Sequence, residues 1–259
     1  MTVHEFGNKD NPVILLLPGT MCYWKGNFGG VIDELAKDFF VAAVAYTGFD
    51  ESDNESYSTV TDELEKIEQY VKEHYDNKIL VAYGCSLGGT FVAHLAARHN
   101  ISLKYGIIGS SDMDQAGNLK ASFMAKLMVK VTYNFIHTGH YNSNLMQKRY
   151  ARQMADPDPY NRAFVAMVGR DKYDMSFITK ESLINQFKSD ITTPIPEKID
   201  NGETEIHVFY ARKMGEKYLE RYKKYFRNPI IHEHDMRHEE LLGVYPGRWC
   251  GLVKECCRR

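Results

Sequence analysis

The feature that most constrains the fold is an apolar segment, residues 78–83, that runs without a break into Gly84-Cys85-Ser86-Leu87-Gly88. Apolar residues at helical spacing follow: Phe91, Val92 and Leu95. The order is strand, sharp turn, helix, and G-x-S-x-G in that setting puts a serine at the apex of the turn. Glycines on both sides let the backbone bend where side chains would collide. The turn lifts the Ser86 hydroxyl clear of the main chain. It also starts a helix at Leu87, whose N–H can bind a developing oxyanion. The same five residues elsewhere would be only a glycine-rich turn; the flanking strand and helix give them chemical meaning.

Other apolar runs read as strands at 3–6, 13–17, 40–45, 104–109, 205–210 and 229–234. Their near-continuous apolar character suits strands covered on both faces. Between two of them Val60, Leu64, Ile67 and Val71 recur at helical spacing, with Thr59 as the expected cap. The alternation predicts an α/β fold: a mostly parallel central sheet flanked by helices, with right-handed crossovers. After Asp112 the rhythm breaks. Residues 115–199 carry helical patterns at 121–136, 144–154, after Asp156-Pro157-Asp158-Pro159, and at 179–188, but no strand. The expected organisation is therefore a core of residues 1–114 and 200–259 with a helical cap inserted at 115–199.

Composition excludes several function classes. A net charge of −2 gives no electrostatic footprint for nucleic acid or an anionic membrane. No apolar run is long enough to span a bilayer. The first nine residues lack the basic start and apolar middle of a secretory leader, so a cytoplasmic protein is expected. The five cysteines, Cys22, Cys85, Cys250, Cys256 and Cys257, follow neither disulfide nor metal-knuckle spacing. No metal site and no cofactor are expected, and Cys256-Cys257 has no assigned role.

The loop leaving the second strand, Pro18-Gly19-Thr20-Met21-Cys22-Tyr23-Trp24, stands at the sheet edge where α/β proteins build sites. Gly19 lets it pass close to the nucleophile, and the Thr20 N–H is the natural second oxyanion donor beside that of Leu87. Met21, Tyr23 and Trp24 are candidate pocket residues, although the aromatics would also serve to pack the loop. A serine needs a base. His238 lies just past the last strand, where a loop can reach Ser86; His234, in that strand, is the alternative.

On these segments the chain resembles the α/β-hydrolase fold superfamily, in its capped, esterase-like branch. Leu15-Leu16-Leu17-Pro18-Gly19-Thr20, Tyr83-Gly84-Cys85-Ser86-Leu87-Gly88-Gly89 and Met236-Arg237-His238-Glu239-Glu240-Leu241-Leu242 follow the family order of oxyanion loop, nucleophile and histidine. The resemblance covers nearly the whole chain. It implies Ser86 as nucleophile, His238 as general base, Thr20 and Leu87 N–H groups as oxyanion hole, and the insertion as a lid. Three positions depart from the pattern. Pro18 replaces a common histidine. Arg237 stands where glycine often precedes the base and could narrow the site or bind a substrate carboxylate. No aspartate follows the penultimate strand, where Glu216 is the nearest acid. Some family members carry the acid after the strand that follows the nucleophile helix, and here Asp112 ends that strand, with Asp114 beside it. A carboxylate that reaches the histidine fixes its tautomer; Asp112 could instead cap the next helix.

The expected chemistry is acyl transfer from a small to medium, partly apolar ester to water, with that small molecule as partner, no nucleic acid and no membrane span, and the oligomeric state open. Met124, Met128, Met146, Met154, Met167, Met175, Phe123, Phe135 and Phe164 would form mainly the interior of the cap, with some lining an adaptable pocket. Fold alone does not fix the bond cleaved. Thioester, amide, lactone and carbon–carbon cleavage, and a non-catalytic ligand-binding role, remain alternatives.

Overall fold

The computed structural model describes residues 1–170 and 172–258. Seven strands form one sheet: β1 (Thr2–Phe6), β2 (Val13–Leu17), β3 (Phe40–Ala45), β4 (Lys78–Gly84), β5 (Ser102–Ile108), β6 (Glu205–Ala211) and β7 (Ile230–His234). Their order across the sheet is β1-β3-β2-β4-β5-β6-β7, with β1 antiparallel to β3 and the other neighbours parallel. In the first half of the chain lie α1 (Trp24–Phe28), α2 (Ile32–Leu35), α3 (Val60–His74) and α4 (Leu87–Arg98). Between β5 and β6 the chain leaves the sheet for α5 (Asn118–Thr138), α6 (Asn144–Ala155), α7 (Pro159–Val168) and α8 (Lys180–Thr192). It closes with α9 (Glu216–Tyr225), α10 (Glu240–Val244) and α11 (Pro246–Cys256).

The strand sequences explain their places. All residues of β3 are buried, as an inner parallel strand with helices on both faces requires. The edge strands β1 and β7 interleave polar residues and stay half-buried. β5 begins at Ser102, earlier than its apolar run, because Ser102 and Lys104 face solvent while Leu103 turns inward. On α3 the residues Val60, Leu64, Ile67 and Val71 bury one face, and the Thr59 hydroxyl accepts the Asp62 N–H at 3.1 Å. Each such apolar side chain contributes about 1.5–3 kcal/mol by leaving water.

Register positions the site. Leu17 pairs with Gly84 and Gly84 with Ile108, so β2, β4 and β5 end on one line. The ladder continues one residue further: Cys85 N–H donates to the Leu17 carbonyl at 3.0 Å and Gly109 N–H to the Gly84 carbonyl at 2.8 Å. From β2 the chain moves to β3 on one side, and from β4 to β5 on the other. The crevice between β2 and β4 is thus a topological switch point, where open α/β sheets bind ligands.

Candidate active site

Ser86 caps α4 at φ 50° and ψ −111°. A side chain at that positive φ costs on the order of 1–3 kcal/mol and persists only where the surroundings enforce it. Gly88 N–H donates to the Cys85 carbonyl and Gly89 N–H to that of Ser86, both at 2.8 Å. A Cβ on Gly84 would run into the backbone of Gly88, and one on Gly88 into the Leu17 carbonyl. The two motif glycines are therefore demanded by close approach of main chain to main chain.

The loop after β2 is pinned on both sides of Thr20. Gly19 N–H donates to Asn27 Oδ1 at 2.9 Å, Met21 N–H to Gln186 Oε1 at 2.7 Å, and Tyr46 Oη to the Pro18 carbonyl at 3.1 Å. Asn27 is itself held, its Nδ2 donating to the Met167 carbonyl at 2.7 Å. Among the described residues the N–H groups of Thr20 and Leu87 carry no such bond. Leu87, as first residue of its helix, has no intrahelical acceptor.

Ser86 and His238 open into one cavity of about 400 Å³, walled mostly by apolar groups that include Met21, Met128, Phe135, Phe164 and Met167. Thr20 also lines it. His238 is half-buried and reaches the cavity from the loop after β7, whereas His234 does not line it. The His234 ring packs edge-on to Phe209 inside the fold, and burial lowers its pKa. Cys22 and Cys85 line the cavity too, but burial pushes the Cys22 thiol up to about 12 and the Cys85 thiol well above its ordinary value. Neither supplies a thiolate near neutral pH.

Several expected pocket residues lie elsewhere. Trp24 is buried and stacks on His4 at 4.2 Å, while Tyr23 packs edge-on against Tyr173 and Phe177. Both belong to the core, so only Met21 of the loop's three candidates lines the cavity. Arg237 does not line it either. Its Nε donates to Glu240 at 2.9 Å, its Nη1 to Asp158 at 2.5 Å, and its Nη2 to both at 3.0 Å. The guanidinium lies 4.0 Å over the Tyr160 ring. With two carboxylates on it, the charge is already neutralised and is not presented to a substrate. The same pairing holds the Asp158 carboxyl down to about 2.

The His238 charge assists the ionisation of Asp112. Burial, the larger effect, raises its pKa, and the neighbouring Asp114 adds to that. Asp112 does not cap α5, which begins after Gly117 without a side-chain cap. Asp114 is taken by Arg221, 2.5 Å away. Glu216 is an exposed first residue of α9. Among the described residues no carboxylate hydrogen-bonds the His238 ring, and none accepts from Ser86 Oγ.

Two acids had no place in the sequence reading. Glu239, directly after His238 and at φ 53°, is 3% exposed beneath the turn. Its Oε1 accepts Ser86 N–H at 3.0 Å and Ser110 N–H at 2.7 Å, and its Oε2 accepts Tyr83 Oη at 2.9 Å. In sequence, Glu239-Glu240 looks like ordinary acidic enrichment at a helix start. Asp190, on α8, accepts from Thr90 Oγ1 at 3.2 Å and Thr20 Oγ1 at 3.4 Å. Burial first, and the nearby Asp112 charge second, push its carboxyl up to about 7.

Comparison with known proteins bears on the fold. The family model of the alpha/beta hydrolase fold matches residues 12–223. No curated protein matches the sequence significantly. Among solved structures, a protein ascribed to the alpha/beta hydrolase family from Desulfitobacterium hafniense superposes with a TM-score of 0.76 at 18% identity, over 98% of this chain and 99% of its own. The enol-lactonase from Burkholderia xenovorans LB400 gives 0.69 at 14% identity, over 100% and 96%. An esterase from Rhodococcus sp. ECU1013 gives 0.67 at 15% identity, over 98% and 93%. At these identities the likeness is one of fold. No helix among the described residues is long and apolar enough to cross a membrane.

Proposed function

The chain belongs to the α/β-hydrolase fold family, and from that premise we propose that it is a serine hydrolase cleaving small to medium, partly apolar carboxylic esters. The observation that carries the reading is the strained Ser86 turn opening, together with His238, into one largely apolar cavity. In this mechanism His238 takes the Ser86 proton as Oγ attacks the ester carbonyl carbon. The N–H groups of Thr20 and Leu87 receive the oxyanion. The alcohol leaves with the proton from His238, and water, activated by the same ring, releases the acyl group. Asp112 is the proposed acid that stabilises the imidazolium. The apolar wall supports an apolar substrate portion.

The bare His238 ring favours a second reading, a ligand-binding relative without turnover. One comparison separates the two: p-nitrophenyl esters from acetate to dodecanoate, with wild type beside Ser86→Ala, and labelling of both by a fluorophosphonate. A hydrolase loses at least about 10⁴-fold in rate in the variant, and only the wild type is labelled. Turnover that survives Ser86→Ala removes the proposed mechanism, and a wild type that neither turns over nor labels moves the protein to the binding class.

A further inference from the structure

We infer that His207, His232 and Cys256 form a zinc site that ties the edge strand β7 and the C-terminal helix α11 to the sheet. The ligand atoms of the three residues lie within 4.8 Å of one another. His207 Nδ1 faces His232 Nε2 at 2.9 Å, and Cys256 Sγ stands 3.7 Å from the same Nε2. A tetrahedral zinc with ordinary bond lengths sets its ligands roughly 3.4 Å apart for two nitrogens and roughly 3.6 Å for nitrogen and sulfur. The nitrogen–sulfur spacing already fits. The two imidazoles need to part by about half an ångström, and the third pair, within 4.8 Å, to settle at the nitrogen–sulfur spacing.

The surroundings are built as a metal site's are. His207 Nε2 lies 2.7 Å from Glu205 Oε1. A hydrogen bond from Nε2 to that carboxylate would make Nδ1 the ligating nitrogen. A carboxylate behind a ligating histidine is the usual device for fixing its tautomer and raising its basicity. His207 is fully buried, Cys256 is 1% exposed and His232 is half-buried. The donor set of two imidazoles and a thiolate is one that borderline-soft zinc prefers over hard cations. Metal binding releases the Cys256 thiol proton, since only the thiolate ligates.

Spacing along the chain conceals this cluster. The residues come from β6, β7 and α11 and meet only once the sheet is formed. The site is also separate from Ser86. His207 lies four residues before the C-terminal end of β6, roughly 13 Å along the strand. The inferred role is structural: an ion here fastens two elements whose other attachments are those of an edge.

The test is cobalt titration of the chelator-stripped full chain. One equivalent per chain should give a thiolate-to-cobalt charge-transfer band with the visible bands of a tetrahedral site, and zinc should abolish both. Cys256→Ser should lose the charge-transfer band and Cys257→Ser keep it. His232→Gln, at a half-buried edge position that tolerates change, should weaken binding at least about tenfold, and Glu205→Gln should weaken it by about 10–100-fold. No cobalt spectrum in the wild type, a charge-transfer band that survives Cys256→Ser, or unchanged affinity in His232→Gln would each overturn the inference.

Discussion

The Glu239 carboxylate accepts the Ser86 N–H at 3.0 Å, so the residue next to the proposed base holds the backbone of the proposed nucleophile. Adjacent residues thus carry the proposed base and anchor the backbone of the proposed nucleophile. Glu239 also accepts from Ser110 and Tyr83, and its charge is met by three donors without a basic side chain.

Replacing Glu239 should therefore separate charge from shape. Glu239→Ala leaves two buried N–H groups unpaired and should cost about 2–5 kcal/mol of stability. Glu239→Gln keeps an acceptor oxygen for both and can donate to Tyr83, so it should cost about 1–2 kcal/mol. Urea denaturation of the two variants beside wild type reads this directly. Equal losses would mean that the hydrogen bonds do not set the effect.

Asp112 should matter to turnover far more than Glu216. Asp112→Asn removes the carboxylate that supports the His238 charge and should lower kcat at least about 100-fold with a small change in KM. Glu216→Gln, on an exposed helix start, should stay within about twofold of wild type. Steady-state kinetics on the best ester decide it, and the reverse order would place the acid elsewhere.

Asp190 should make the fold less stable as pH rises. Its carboxyl is raised from 3.8 to about 7 in the fold. Below about pH 4 both folded and unfolded forms are protonated. Between there and about pH 7 the unfolded chain ionises first, so stability falls, by at most about 4 kcal/mol and less where solvent reaches the group. Asp190→Asn retains partners for Thr20 and Thr90 and should flatten this fall. Tm for both proteins between pH 5 and pH 8 checks it, and parallel curves would assign the pH dependence to other groups.

Phe164 should set the length of chain accepted. It lines the cavity, lies 6.5 Å from the His238 ring and is 40% exposed. Phe164→Ala should shift the optimum towards longer acyl chains at a cost of only about 1–2 kcal/mol in stability. An unchanged chain-length profile would put the acyl group on another wall.

Signals that depend on neighbours in sequence were legible. The apolar runs gave the strands, the Gly84 to Gly88 turn gave the switch-point serine, and Thr59 gave the cap of α3. What escaped depends on contacts between distant segments. Glu239 reaches Ser86 across 153 residues, Gln186 reaches Met21 across 165, and Asn27 ties Gly19 to α7. No local pattern encodes those bonds. Tyr23 and Trp24 stay open in the sequence, between pocket and packing, for a related reason: aromatic residues beside a site loop look alike in sequence whether they face a cavity or the core.

The ion pair of Arg237 with Asp158 has a mechanical consequence. Asp158 caps α7, Arg237 precedes His238, and Tyr160 of α7 donates to the His238 carbonyl at 3.0 Å. Any swing of α7 away from the cavity pulls directly on the proposed base, His238. On the proposed mechanism, a substrate that enters by lifting α7 would disarm the catalyst until the helix settles again, whereas one that slips in along α5, past Met128 and Thr132, would find it already cocked.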